Sequence, residues 1–93
     1  MIVSFADETT RRVWGRERAP RLGLAEHKAA HKKLLLLDWS ETLNDLRVPP
    51  GNRLEKLSGD RAGQHSIRVN DRYRLCFTWT AAGPSNVEIV DYH

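Results

Sequence analysis

A chain of 93 residues fits one domain, residues 1–93, and leaves little room for a second. Its hydrophobic fraction of 40% supports an ordinary small core, no apolar run approaches the ~20 residues of a membrane span, and its one cysteine excludes an internal disulfide or a thiol-rich metal site. The net charge of +3 permits a nucleic-acid partner without requiring one, because a solvated basic surface gives the same balance.

Met1 to Phe5 is a short apolar run and reads as a strand. No positively charged leader with an apolar run opens the chain, so a reducing cytoplasm is the expected compartment. Asp7 and Glu8 place negative charge where a helix N-terminus favours it, and a helix is expected from about Asp7 to Arg18. Only Val13 and Trp14 are plainly apolar in it, and Gly15 weakens it. Arg11, Arg12, Arg16 and Arg18 give it a basic face, suited to RNA phosphates or simply to solvent. Ala19-Pro20-Arg21-Leu22-Gly23 ends it.

A stronger helix is expected over Leu24–Trp39, with Ala30, Leu34 and Leu37 at i, i+4 and i+7 as its buried stripe. The run Leu34 to Leu37 covers more than one stripe, so at least one leucine faces a second surface, either the first helix or a partner. His27 and His31, at i and i+4, offer two imidazoles but no third ligand, so solvated histidines are expected and no metal. Glu41 to Leu46 is a short turn, and Arg47-Val48-Pro49-Pro50-Gly51 ends helical structure.

The second half reads as a sheet. Arg53 to Leu57 is a modest strand, and Ser58 to Gly63 is its turn, with glycines available for positive φ. Gln64 to Val69 follows, with His65, Ile67 and Val69 on one face and Gln64, Ser66 and Arg68 on the other. Asn70-Asp71-Arg72 is tight enough for a hairpin. From Tyr73 the alternation is clean: Tyr73, Leu75, Phe77 and Trp79 form an apolar face, and Arg74, Cys76 and Thr78 the other. An arginine in mid-sheet needs a partner, because burying its charge alone costs several kcal/mol or more. Ala81 to Ser85 is expected as a loop and Val87 to Val90 as the last strand, which delivers Asp91, Tyr92 and His93. The element order predicts an α+β fold: an N-terminal strand and two helices packed on a mostly antiparallel sheet of about four to five strands.

The segment from Asn52 to Phe77, and within it Leu57-Ser58-Gly59-Asp60-Arg61-Ala62-Gly63-Gln64-His65-Ser66-Ile67-Arg68-Val69-Asn70-Asp71-Arg72-Tyr73-Arg74, closely resembles the HigB-type toxins of the RelE/ParE superfamily. The ending Val90-Asp91-Tyr92-His93 is similar to theirs, and the opening strand and helices fall where that family has them. The resemblance implies a RelE-like fold and the toxin of a type II toxin–antitoxin pair. Such toxins cleave messenger RNA on the ribosome without metal or cofactor. A HigA-type antitoxin with a helix-turn-helix DNA-binding domain neutralises them, so operator DNA is met only through the antitoxin. Carried onto this chain, the resemblance marks Arg74, Asp91, Tyr92 and His93 as catalytic candidates. Arg68, Lys56 and Arg61 are the candidate RNA contacts. Some relatives have a lysine where this chain has Ser58; Lys56, two residues earlier, is the candidate replacement.

Those residue types suit a definite chemistry. RNA is cut without metal when its own 2′-hydroxyl attacks the adjacent phosphorus, which needs a base, positive charge on the phosphate and an acid for the departing 5′-oxygen. Histidine titrates near ~6.5 and serves as acid or base. Arginine matches phosphate oxygens with paired donors. Tyr92 suits stacking or proton transfer, and Asp91 suits orienting His93. Arg68 is either a second phosphate contact or a cross-strand ion-pair partner. Cys76 reads as packing, since nothing lowers its pKa. Two other readings share the fold: a ParE-like inhibitor of DNA gyrase without catalysis, and an interaction protein acting only as corepressor with its antitoxin. The Asp91-Tyr92-His93 ending favours the nuclease.

Overall fold

The computed structural model describes residues 1–92. Two helices, α1 (Glu8–Trp14) and α2 (Leu24–Trp39), precede four strands: β1 (Glu55–Lys56), β2 (His65–Arg68), β3 (Tyr73–Thr80) and β4 (Gly83–Asp91). The strands form one antiparallel sheet in the order β1-β2-β3-β4. The helices pack on one face of it, which is the α+β arrangement expected. Among the described residues no helix is long and apolar enough to cross a membrane.

The α1 helix is shorter than expected. Asp7 caps it by accepting a bond from the Thr10 amide at 2.8 Å, but it stops after Trp14, and Arg16 sits in the left-handed region at φ 58°. Gly15 holds the helix weakly at that point. The bounds of α2 match the expectation, and its stripe Ala30, Leu34 and Leu37 is fully buried against Ile67, Leu75, Phe77 and Val87. Of the other two leucines, Leu36 packs against this core and Leu35 is exposed.

The opening segment lies beside β4 rather than forming a full strand. Val3 donates to Pro84, Val87 donates to Ser4, and Ala6 donates to Val87, with a single parallel bridge from Phe5 to Val87. A bulge in β4 makes this docking possible. Cys76 pairs with Glu88 and Thr78 with Ser85, so Asn86 and Val87 together oppose Phe77. Asn86 takes φ 51°, a conformation its short amide side chain tolerates. Gly83, Pro84 and Ser85, expected in a loop, already pair with Thr80, Trp79 and Thr78, so β4 begins at Gly83, and the bulge interrupts its period-two pattern without ending the strand. Gly83 itself has φ 126°, and a Cβ there would collide with the Met1 carbonyl. Further along the same edge, the buried hydroxyl of Thr10 accepts from the Ile89 amide at 2.9 Å, tying α1 to β4.

The first sheet strand is also cut short. Arg53 is left-handed (φ 46°) after a tight turn over Pro50–Asn52, leaving only Glu55 and Lys56 to pair with β2. Fully buried Asn52 holds that turn in place, donating to Leu46 and Val48 carbonyls and accepting from Lys33 Nζ.

Candidate active site

The helices cover one face of the sheet, so the other face carries the chemistry. Opposed residues of an antiparallel pair share a face. Glu55 lies opposite Ser66, Ser66 opposite Cys76, and Cys76 opposite Glu88. Arg74 lies one step along, opposite Arg68 on one side and Val90 on the other. Like charges so placed repel, and each has its own carboxylate: Arg68 bonds Asp71 in the hairpin, and Arg74 Nη2 lies 3.6 Å from Glu55.

Arg74 is the most constrained of these groups. Its side chain is 11% exposed. Nε donates to Ser66 Oγ at 2.8 Å and Nη2 to the Arg53 carbonyl at 2.7 Å. The left-handed turn at Arg53 aims that carbonyl at the guanidinium. On the outer side, the Tyr92 ring centroid lies 5.5 Å from the Arg74 guanidinium carbon. The Tyr92 amide bonds the Arg72 carbonyl at 2.7 Å and so extends the β3–β4 pairing by one residue beyond Asp91. Half-exposed Tyr92 therefore rests on a ladder and does not fray at this point.

Arg61 closes the other side. It leaves the tight turn Gly59–Arg61, and its Nη1 donates to Gln64 Oε1 at 3.0 Å and to Glu88 Oε1 at 3.1 Å. That bond to Glu88 raises its pKa further and keeps it a cation. Beneath lies Cys76, fully buried, whose pKa burial pushes up, so it is held as a thiol, in keeping with packing. Tyr92, Arg61, Lys56, Ser58 and Glu55 line a cleft of about 250 Å³ together with Leu57 and Asp60. Arg74 forms part of the sheet floor next to it, through Glu55 and Tyr92.

Not every candidate joins this group. Lys56 reaches the cleft rim, but it lies opposite His65, so strand alternation places Glu55 rather than Lys56 beside Arg74. Asp91 lies opposite Tyr73 and bonds Arg72 at 2.9 Å, on the helix-bearing side, lining a separate cleft with Asp7 and Arg21. Arg68 takes the ion-pair role, with Asp71 of its own hairpin rather than across the strands. His93, and with it the pairing of Asp91 to His93, lies outside the described residues. His27 and His31 are not side by side on solvent: His27 Nε2 bonds the Glu17 carbonyl at 3.0 Å, and His31 stacks on Trp14 at 6.1 Å. Among the described residues no three His, Cys, Asp or Glu side chains gather as a metal site. Glu55, Glu88 and Gln64 were not singled out from the sequence. Counting the pairing back across the Ser58–Gly63 turn puts Glu55 opposite Ser66, and that was the available signal.

Residues 3–93 match the family described as the RelE-like toxin of the type II toxin-antitoxin system HigB. The chain belongs to the HigB-like toxins. It is 40% identical over 80 residues to Toxin HigB-1 of Vibrio cholerae serotype O1, a stretch covering 85% of this chain and 84% of that protein. It is also 43% identical over 53 residues to an uncharacterised protein of Haemophilus influenzae, covering 57% of this chain and 52% of that one. As a HigB-like toxin it is one half of a toxin–antitoxin pair, and a cognate antitoxin is its partner.

Proposed function

We propose that this HigB-like toxin is an endoribonuclease that cuts messenger RNA on the ribosome and so arrests translation in the cytoplasm. The observation that carries the reading is Arg74, held nearly buried by Ser66 and the Arg53 carbonyl, with Tyr92 stacked over it. A guanidinium fixed in this way is preorganised for charge that develops on a phosphate, at no reorganisation cost during the reaction.

In this mechanism the 2′-hydroxyl gives its proton to a base as O2′ bonds to phosphorus. Glu55, beside Arg74 and on the cleft wall, is the carboxylate best placed for that task. Arg74 and Arg61 stabilise the charged phosphorus centre. The P–O5′ bond breaks, and the leaving oxygen takes a proton from His93, or from Tyr92 in its place. The products are a 2′,3′-cyclic phosphate and a free 5′-hydroxyl. Tyr92 stacks on a base, Lys56 holds the RNA backbone at the rim where some relatives have a lysine at the Ser58 position, and Arg68 makes an outer phosphate contact. Asp91, paired with Arg72, fixes the end of β4 and orients His93. The antitoxin is of the HigA type, with a helix-turn-helix domain through which the pair meets operator DNA.

Expression of the chain without its antitoxin, followed by mapping of transcript 5′ ends, tests the reading. New ends should arise inside translated regions and vanish when the antitoxin is co-expressed. Intact transcripts with disturbed DNA supercoiling would instead identify a gyrase inhibitor.

A further inference from the structure

The outer face of α2 holds several features that the nuclease reading leaves unused. Leu24 is 75% exposed and Leu35 42% exposed. Leu24, His27, His31 and Leu35 fall at i, i+3, i+7 and i+11, which is one stripe along a helix. His31 is packed down onto Trp14 of α1, and His27 onto the Glu17 carbonyl, so the middle of the stripe is a floor and the two leucines stand at its ends. Two clefts, of about 430 and 340 Å³, share Arg16, Leu24 and His27 and run together along this stripe. Lys28, Lys32 and Arg16 flank it, and none has a carboxylate partner among the described residues.

An apolar groove about 16 Å long at the ~1.5 Å rise of a helix, rimmed by free cations, has a definite complement. We propose that it is the docking surface for an acidic amphipathic segment of the cognate antitoxin, whose apolar side chains bridge Leu24 and Leu35 while its carboxylates meet Lys28, Lys32 and Arg16. The inference rests on membership of the toxin–antitoxin family and not on the nuclease reading. Charge complementarity alone also fits an RNA backbone. The leucines decide against RNA, because single-stranded nucleic acid is bound on aromatic platforms, whereas leucines spaced by helical turns are the anchors of helix-in-groove recognition. The α2 layer lies behind the sheet, on the side away from the Arg74 cleft, so occupation of this groove leaves that cleft uncovered and the two functions can be measured apart.

The test uses the full chain with its cognate antitoxin. Leu24→Ser and the double variant Lys28→Glu/Lys32→Glu alter only exposed or rim side chains, and unchanged far-ultraviolet circular dichroism verifies their folding. Affinity for the antitoxin, read by calorimetry, should fall about tenfold or more in each, as for loss of an interface anchor. Cleavage of ribosome-bound messenger RNA by the same variants should remain within about twofold of the parent. Antitoxin affinity unchanged in both variants overturns the proposal. Unchanged affinity with loss of ribosome binding in the double variant overturns it too, and gives the groove to nucleic acid.

Discussion

The two basic surfaces of this toxin are built in opposite ways. On the open face of the sheet, three arginines each lie within reach of a carboxylate: Arg61 with Glu88, Arg68 with Asp71 and Arg74 with Glu55. On the outer face of α2, Lys28, Lys32 and Arg16 have no such partner among the described residues. Countercharges hold a guanidinium in one place and cancel much of its field at a distance. The sheet face is therefore suited to positioning a phosphate that has already arrived. The helix face leaves its cations uncancelled, and their long side chains suit attraction of a partner more than precise chemistry.

The largest test of that contrast removes the best-held cation. Arg74→Ala should lower single-turnover cleavage by about 10² to 10³, the range for a lost electrostatic donor. It should leave antitoxin affinity unchanged, since the groove on α2 lies on the other side of the sheet. An Arg74 projecting into an open site would be dispensable for folding. Instead, its loss strands the hydroxyl of fully buried Ser66, at a cost of about 1–3 kcal/mol in denaturant unfolding. Full cleavage by a folded Arg74→Ala protein would remove Arg74 from the chemistry.

A smaller effect separates holding from cancelling. Glu88→Gln keeps the shape of the group that bonds Arg61 but removes its charge. The pair is only about one-third exposed on either side, and such pairs are worth up to about 1 kcal/mol. Affinity for single-stranded RNA should therefore rise roughly three- to fivefold, and the dependence of log K on log salt should steepen by about 0.7 as one more phosphate is engaged. An affinity that falls instead would show that the carboxylate positions Arg61 more than it competes for it.

How far the sequence foretold this arrangement depends on the kind of signal involved. Period-two alternation from Tyr73 placed the apolar face and Arg74 correctly, and helical spacing did the same for Ala30, Leu34 and Leu37. Both patterns are local, and burial enforces them at every repeat. What the pattern did not carry was register. The neighbours of Arg74 come from a two-residue strand, Glu55–Lys56, whose phase is fixed only by pairing across a turn. Lys56 was the expected replacement for the lysine that some relatives have at the Ser58 position, whereas pairing brings Glu55 beside Arg74. The β4 bulge defeated the pattern in the same way, because the extra residue Asn86 shifts the phase; of the loop expected over Ala81 to Ser85, Ala81 and Ala82 are the turn, while Gly83, Pro84 and Ser85 already belong to β4. Asp91 shows the converse limit: adjacency to Tyr92 in sequence puts the two side chains on opposite faces of a strand.

The smallest expected effect is one of pH, and it distinguishes the two surfaces once more. The bond to Glu88 raises the pKa of Arg61, so its positioning should not respond to mild acid. The floor of the helix groove should. Burial against Trp14, with Arg16 and His27 nearby, lowers the pKa of His31 below its ordinary 6.5. Within the sheet, His65 is lowered by burial and by Lys56, and its Nδ1 has no hydrogen-bond partner among the described residues. In the window between each lowered value and 6.5 the unfolded chain binds the proton and the folded chain does not. Stability from these two groups is therefore complete above 6.5 and declines as pH falls below it. His31→Phe keeps an aromatic ring on Trp14 and removes one of the two protons. The drop in Tm between about pH 7.5 and 5.5, a few degrees for a domain of this size, should shrink by a measurable part in that variant. A drop identical to the parent's would assign the acid sensitivity to His65 and leave the α1–α2 junction insensitive to pH.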